Sequence, residues 1–298
     1  ATRCGDEATA LHIPHHHHCG DTNDAAPNHD DGETALQGVE LPVIEVGCSF
    51  PAMGSVVDIV CIGGAANVEQ FARARVGDLE RVWSRFDPSS ELVALNRSGG
   101  QGAVPASELL RLAVDSSLHL WRATDGWFDP TTIDVLEWSG YDRSFERVRT
   151  RIQHRVEGPT PVVPTPAGVV VDHERGTITV PEGVRLDLGG VGKGLAADLL
   201  AAELVARGAQ SACVSVGGDI AVAGEHPDGS WRIPVCDPTQ QDRVAWEVEL
   251  ASGAVVQSNR WVRQWGSGTE SLNHLVNPRT GACAGSGATP APSLTPTA

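Results

Sequence analysis

Lys193 is the only lysine among the 22 basic residues of this 298-residue chain. It stands in Gly189-Gly190-Val191-Gly192-Lys193-Gly194, after Val184-Arg185-Leu186-Asp187-Leu188, which alternates apolar and charged residues, and before a run of helix formers. Strand, glycine loop and helix N-terminus in that order let backbone N–H groups approach a phosphate, and a lone ammonium adds a compact point charge. The loop is not a Walker A motif, because Asp187 occupies its first glycine position and Gly194 its Ser/Thr position. Leu195 in place of a third glycine breaks the dinucleotide-binding spacing as well. Taken alone, the loop reads equally as a turn that packs a helix on a sheet. Gly126-Trp127-Phe128-Asp129-Pro130-Thr131 sets two aromatic rings beside an acid in a proline-stiffened turn. That pattern stacks a flat ring, or simply builds a turn. His274, in Asn273-His274-Leu275-Val276-Asn277-Pro278-Arg279-Thr280-Gly281, is a candidate general base, although a lone histidine more often serves structure.

Elements must hold these groups in place. Val43–Val46 and Val56–Val60 read as strands with Met53-Gly54-Ser55 between them. A helix is expected over about 67–86, with Leu79, Val82, Trp83 and Phe86 on its buried stripe. A second is expected over about 106–123, capped by Ser107, with Leu110, Val114, Ser117 and Trp121 on one face. Val169–Val171 and Thr177–Val180 flank Glu174-Arg175-Gly176 as a hairpin. Val184–Leu188 is expected to be a strand, 189–194 a tight loop, and 195–207 a helix stopped by Gly208. Further strands are expected at Val214–Val216, Trp231–Val235 and Trp246–Leu250. Strands and helices mix without regular βαβ spacing, which makes α+β the fold class, with mixed sheets and packed helices.

The formal net charge of −16 removes the basic surface that phosphate-backbone binding needs, which argues against nucleic acid as a partner. No run of about 18 apolar residues spans a membrane. Seven scattered cysteines form no regular framework and read as small core residues or free thiols. Residues 1–38 hold six of the 11 histidines, including His15–His18 between Cys4 and Cys19. They read as a disordered acidic leader or as a soft-metal tract. Residues 282–298 are Ala, Gly, Ser, Thr and Pro apart from Cys283 and Leu294, and are expected to form a disordered tail. The folded unit is therefore expected over 39–281.

Six stretches in order resemble the flavin transferase family, the FAD:protein FMN transferases of the ApbE type. They are Met53-Gly54-Ser55, Phe86–Asn96, Gly126–Thr131, Leu186–Asp198, Val214–Ile220 and His274–Gly281. The resemblance implies an ApbE-like, T-fold-like architecture. It implies an enzyme that moves the FMN half of FAD onto a Thr or Ser hydroxyl of an acceptor protein, releasing AMP, with Mg²⁺ on the pyrophosphate. By the same resemblance, Met53, Phe86, Trp127, Phe128 and Asp129 line the flavin and adenine ends. Asp187, Lys193 and Leu275 contact FAD, the Gly190 carbonyl faces the metal, and His274 is the base for the incoming hydroxyl.

The chain departs from the family pattern in three places. Gln257-Ser258-Asn259 stands where the family has Thr-Ser-Gly, and Asn277 stands where it has Asp. The family also continues to an Asp and a Thr that help hold the metal, and no acid follows Gly281 here. Slow transfer or none at millimolar Mg²⁺ is expected from that, since Mg²⁺ leans on carboxylates. A non-catalytic FAD-binding protein and an FAD pyrophosphatase remain alternative readings. No charged-then-apolar export signal is visible, while the family is often exported to the outer face of the cytoplasmic membrane, so the compartment stays open.

Overall fold

The computed structural model describes residues 44–149, 156–237, 240–261, 263–266, 272–283 and 291–295. The expected leader at 1–38 lies outside the described residues. The chain opens with a hairpin of β1 (Glu45–Ala52) and β2 (Ser55–Ile62), paired from Glu45↔Ile62 to Ala52↔Ser55. Its two-residue turn is Met53-Gly54, at φ 52° and 61°. Positive φ at both positions suits the right-handed twist of the strands. Helix α1 (Val68–Trp83) buries Val68, Ala72, Val76, Leu79 and Trp83, three and four residues apart. It stops short of Phe86, which was expected on its stripe and is instead 39% exposed. Helix α2 (Glu91–Arg97), strand β3 (Ala103–Pro105) and helix α3 (Glu108–Ala123) follow. Ser90 and Ser107 cap the two helices by accepting the amides of Val93 and Leu110.

Short helices α4 (Ile133–Trp138) and α5 (Phe145–Arg149) lead to the hairpin of β4 (Val170–Asp172) and β5 (Thr177–Thr179), which β3 joins. Next come α6 (Gly192–Ala206), β6 (Ser211–Val216), β7 (Asp219–Gly224) and the long hairpin of β8 (Trp231–Asp237) with β9 (Gln240–Leu250). The chain continues through β10 (Gly253–Ser258), β11 (Gln264–Trp265), β12 (Leu272–Asn273), β13 (Val276–Asn277), β14 (Ala282–Cys283) and β15 (Ala291–Thr295). The main sheet has the order β1-β2-β6-β7-β10-β15, and every pair is antiparallel.

One sheet face packs α1 and α6 into the main core, with Val57, Ile59, Val214 and Val216 below Leu79, Leu200 and Leu204. The other face is covered by Trp231, Ile233 and Val235 of β8. Layers on both sides explain why all six residues of β6 are buried. The mixed α+β class holds. Burial pushes the thiols of Cys48 and Cys61 up to about 11 and that of Cys213 to about 12, as befits unreactive packing groups.

Three local expectations change. Val184–Leu188 is not a strand, because its backbone is satisfied elsewhere. The Asn96 side chain gives Nδ2–H to the Leu186 carbonyl (2.9 Å) and accepts the Leu186 amide (2.8 Å), while the Asp187 amide donates to the Pro130 carbonyl (2.7 Å). Helix α6 begins at Gly192 rather than 195, which puts Lys193 on its first turn. In the tail, β15 pairs with β10 from Ala254↔Thr295 to Ser258↔Ala291, so 291–295 belongs to the sheet.

Leu186 is buried, so removing the Asn96 amide leaves a donor and an acceptor without partners. Asn96→Ala should cost about 2–6 kcal/mol of stability, the sum of two such penalties. Urea unfolding measures it, and a loss below about 0.5 kcal/mol would show that the latch is dispensable.

Candidate active site

The sequence motifs meet at the N-terminus of α6. The Asp187 carboxylate organises the approach by accepting the Gly189 amide on Oδ1 (2.8 Å). The Leu188 carbonyl then takes the amides of Val191 (3.1 Å) and Gly192 (2.7 Å), and Val191 takes that of Leu195. Among the described residues no backbone acceptor serves the amides of Lys193 and Gly194. Two amides without a backbone acceptor at the start of a 15-residue helix make a positive end.

Lys193 Nζ lies 3.2 Å from Asp219 Oδ2, and the two side chains are 23% and 21% exposed. Close packing draws the β1–β2 turn to the same spot. A Cβ on Gly217 would fall 2.5 Å from Ser55 Oγ and 3.3 Å from Lys193 Cδ. The Met53 amide is held by Glu80 Oε1 at 2.8 Å. On the other side, a Cβ on Gly190 would fall 2.6 Å from Phe128 Cε2, so only glycine lets that ring lie against the loop.

Arg85 ties the Phe86 motif to the loop. Its Nε lies 3.3 Å from Asp187 Oδ2, and the two side chains are only 6% and 10% exposed. The guanidinium lies over Phe86 (4.2 Å) and Tyr141 (4.5 Å) and donates to the Tyr141 carbonyl (2.9 Å). His274 sits in the bend between β12 and β13, partly buried, with Nδ1 3.5 Å from the Arg263 carbonyl. Burial, then the charges of Arg263 and Lys193, push its pKa from 6.5 down to about 4. The imidazole is therefore neutral at pH 7 and close enough to Lys193 to feel its charge. Leu275, partly buried, is fixed beside it by its amide, which donates to Asn273 Oδ1 at 3.0 Å.

Met53, Phe128, Asp187, Gly190, Lys193 and His274 thus border one region. Gly126 and Asp129 of the Trp127 motif line a cleft of about 440 Å³ together with Trp121, Arg122, Asp125, Pro278 and Arg279. Trp127 is 58% exposed under the Arg279 guanidinium, 4.3 Å from its ring. Asp129 accepts the amide (2.8 Å) and hydroxyl (2.6 Å) of Thr131 on Oδ1, yet burial raises its pKa. Phe86 borders a second cleft of about 290 Å³. Arg85, Tyr141 and Arg263 went unnoticed in the sequence. Arg is the default cation of this chain, so nothing in their spacing marked Arg85 and Arg263.

Mg²⁺ does not fit the described residues. Among them no three His, Cys, Asp or Glu side chains gather. Asp187 already serves Gly189 and Arg85, and Asp219 serves Lys193. The exposed Gly190 carbonyl alone is a weak claim on a hard dication.

Fold and site together define an antiparallel α+β protein with Lys193 on the first turn of α6 and a neutral histidine within reach of its charge. The ApbE family profile matches residues 53–291, and the chain belongs to the ApbE family. It is 27% identical to an FAD:protein FMN transferase of Rhodobacter capsulatus over 246 residues, 80% of this chain and 46% of that one. It is 24% identical to the FAD:protein FMN transferase of Escherichia coli K12, covering 73% and 63%. The chain thus spans between about half and two thirds of the length of these relatives. In structure it resembles the ApbE protein of Thermotoga maritima (TM-score 0.72, 24% identity, 85% and 82% covered). It also resembles the flavin transferase ApbE of Vibrio cholerae (TM-score 0.68, 21% identity, 86% and 83% covered).

Proposed function

We propose that this chain transfers the FMN moiety of FAD to a Thr or Ser hydroxyl of an acceptor protein and releases AMP. Family membership supports the reaction class. The observation that carries the reading is a neutral His274 within electrostatic reach of Lys193 at the head of α6. Lys193 and the free amides of the helix end receive the pyrophosphate. His274 takes the proton from the acceptor hydroxyl as its oxygen attacks the FMN phosphorus. The bond from that phosphorus to the bridging oxygen breaks, and AMP leaves with the bridging oxygen. The Mg²⁺ implied by the family resemblance enters no step assigned to these residues.

The test is to incubate the chain with FAD and a Thr-bearing acceptor peptide, with and without Mg²⁺. In-gel flavin fluorescence of the acceptor is read together with AMP. Labelled acceptor with matching AMP is expected. AMP with free FMN would instead mean hydrolysis, and tightly bound FAD with neither product would mean a binding protein.

Two variants check the pyrophosphate placement. Lys193→Ala should weaken FAD binding by about 1–3 kcal/mol, because it removes a charge-assisted contact and leaves Asp219 facing the phosphates. Asp219→Asn removes that opposing charge and should tighten FAD binding. Titration calorimetry showing unchanged affinity in both would move the pyrophosphate elsewhere.

A further inference from the structure

A histidine can act as base only through a nitrogen that carries a lone pair, so its tautomer must be set by the partner of the other nitrogen. Nδ1 of His274 faces the backbone carbonyl of Arg263 at 3.5 Å. A carbonyl only accepts, so this contact is a hydrogen bond only when Nδ1 carries the proton. The separation is at the long limit for such a bond, as is common before substrate closes a site.

What fixes that carbonyl is the side chain of the same residue. Arg263 Nη1 donates to the Tyr141 hydroxyl at 3.1 Å, and Nη2 donates to the Gly54 carbonyl in the β1–β2 turn at 3.1 Å. Tyr141 is itself 5% exposed, with its ring 5.2 Å from that of Trp265 on β11. One fork thus joins the Met53 turn, the Tyr141 cluster and the segment carrying the carbonyl. The charged groups facing the imidazole are Arg263, between β10 and β11, and Lys193 on α6, with Asp219 of β7 behind Lys193.

We propose that Arg263 is a positioning residue, whose two-pronged grip on Gly54 and Tyr141 holds its own carbonyl against Nδ1 of His274 and so leaves Nε2 as the proton acceptor. The proposal rests on the reading of His274 as the base. It does not require that the chain be shown to transfer FMN, because the tautomer is measurable in the free protein.

The experiment is two-bond ¹H–¹⁵N correlation NMR of the histidine rings in the full chain without FAD, run on wild type, Arg263→Met, Arg263→Lys and Tyr141→Phe. Wild type should show the Nδ1–H form of His274. Arg263→Met should give mixed tautomers and a titration midpoint raised by about one unit or more. Arg263→Lys keeps the charge without the fork, so it should give mixed tautomers with a midpoint near that of wild type. Tyr141→Phe removes one prong and should fall between. A pure Nδ1–H form in Arg263→Lys and Tyr141→Phe would overturn the proposal, and those two variants decide it even if Arg263→Met does not fold. In the transfer assay, Arg263→Lys should lower kcat about tenfold or more and leave the KM for FAD within about threefold. A wild-type chain that moves no FMN would sink the proposed function and leave the tautomer comparison to decide the role of Arg263.

Discussion

Replacing His274 by Ala should lower FMN transfer by about 10²–10⁴-fold, the usual contribution of a positioned general base. FAD affinity should change little, because a neutral ring contributes no charge to pyrophosphate binding. The pH dependence carries the sharper signature. The base works unprotonated, and burial with two neighbouring cations holds its pKa at about 4 instead of 6.5. The kcat/KM for FAD should therefore stay level as pH falls through 6.5 and drop only near 4, since that ratio reports the free enzyme. The same depression acts on stability. Between about 4 and 6.5 the unfolded chain binds a proton at this site that the folded chain refuses. Stability is therefore lost as pH falls through that window. A His274→Ala chain that transfers FMN at more than about a third of the wild-type rate would exclude the base role. An acid limb at 6.5 would mean that the ring is exposed to water in the free enzyme.

The second large effect is on folding. Asp187→Ala should destabilise the chain by about 3–5 kcal/mol, the cost of leaving one member of a buried ion pair alone. Arg85 is the member left behind, 94% removed from water, and among the described residues its Nη2 has no partner. The same change frees the Gly189 amide and loosens the loop that starts α6. Asp187→Asn keeps a carbonyl oxygen for Gly189 and should cost less. Replacing both partners, Arg85→Met with Asp187→Leu, should recover much of the loss, since no charge is left unpaired. Urea unfolding of the three variants gives the ranking. A loss under about 1 kcal/mol for Asp187→Ala would show that water reaches Arg85 and that the pair is not truly buried.

Much of the molecule could be read from the chain. Short-range chemistry determined α1 and α3 to within a few residues, because their apolar residues recur at helical spacing and Ser107 caps α3. The β4–β5 hairpin and the α+β class were legible for the same local reason. The glycine loop with its single lysine stood out as well, but taken alone it read equally as a turn that packs a helix on a sheet. Where long-range partners decide, the sequence was silent. Val184–Leu188 has strand composition, but Asn96 and Pro130 claim its backbone from 90 and 57 residues away, counting from Asn96 to Leu186 and from Pro130 to Asp187. Glycine has poor helix propensity, so the start of α6 was placed too late, whereas packing of Gly192 near the Trp83 ring lets the helix begin there. The composition of 291–295 shows no apolar pattern, and only the open edge of β10 makes it a strand. The identity of His274 as a residue was plain, but its neutrality was not. That property comes from burial and from Arg263 and Lys193, brought beside it by folding, and desolvation and charge proximity have no signature in a linear chain.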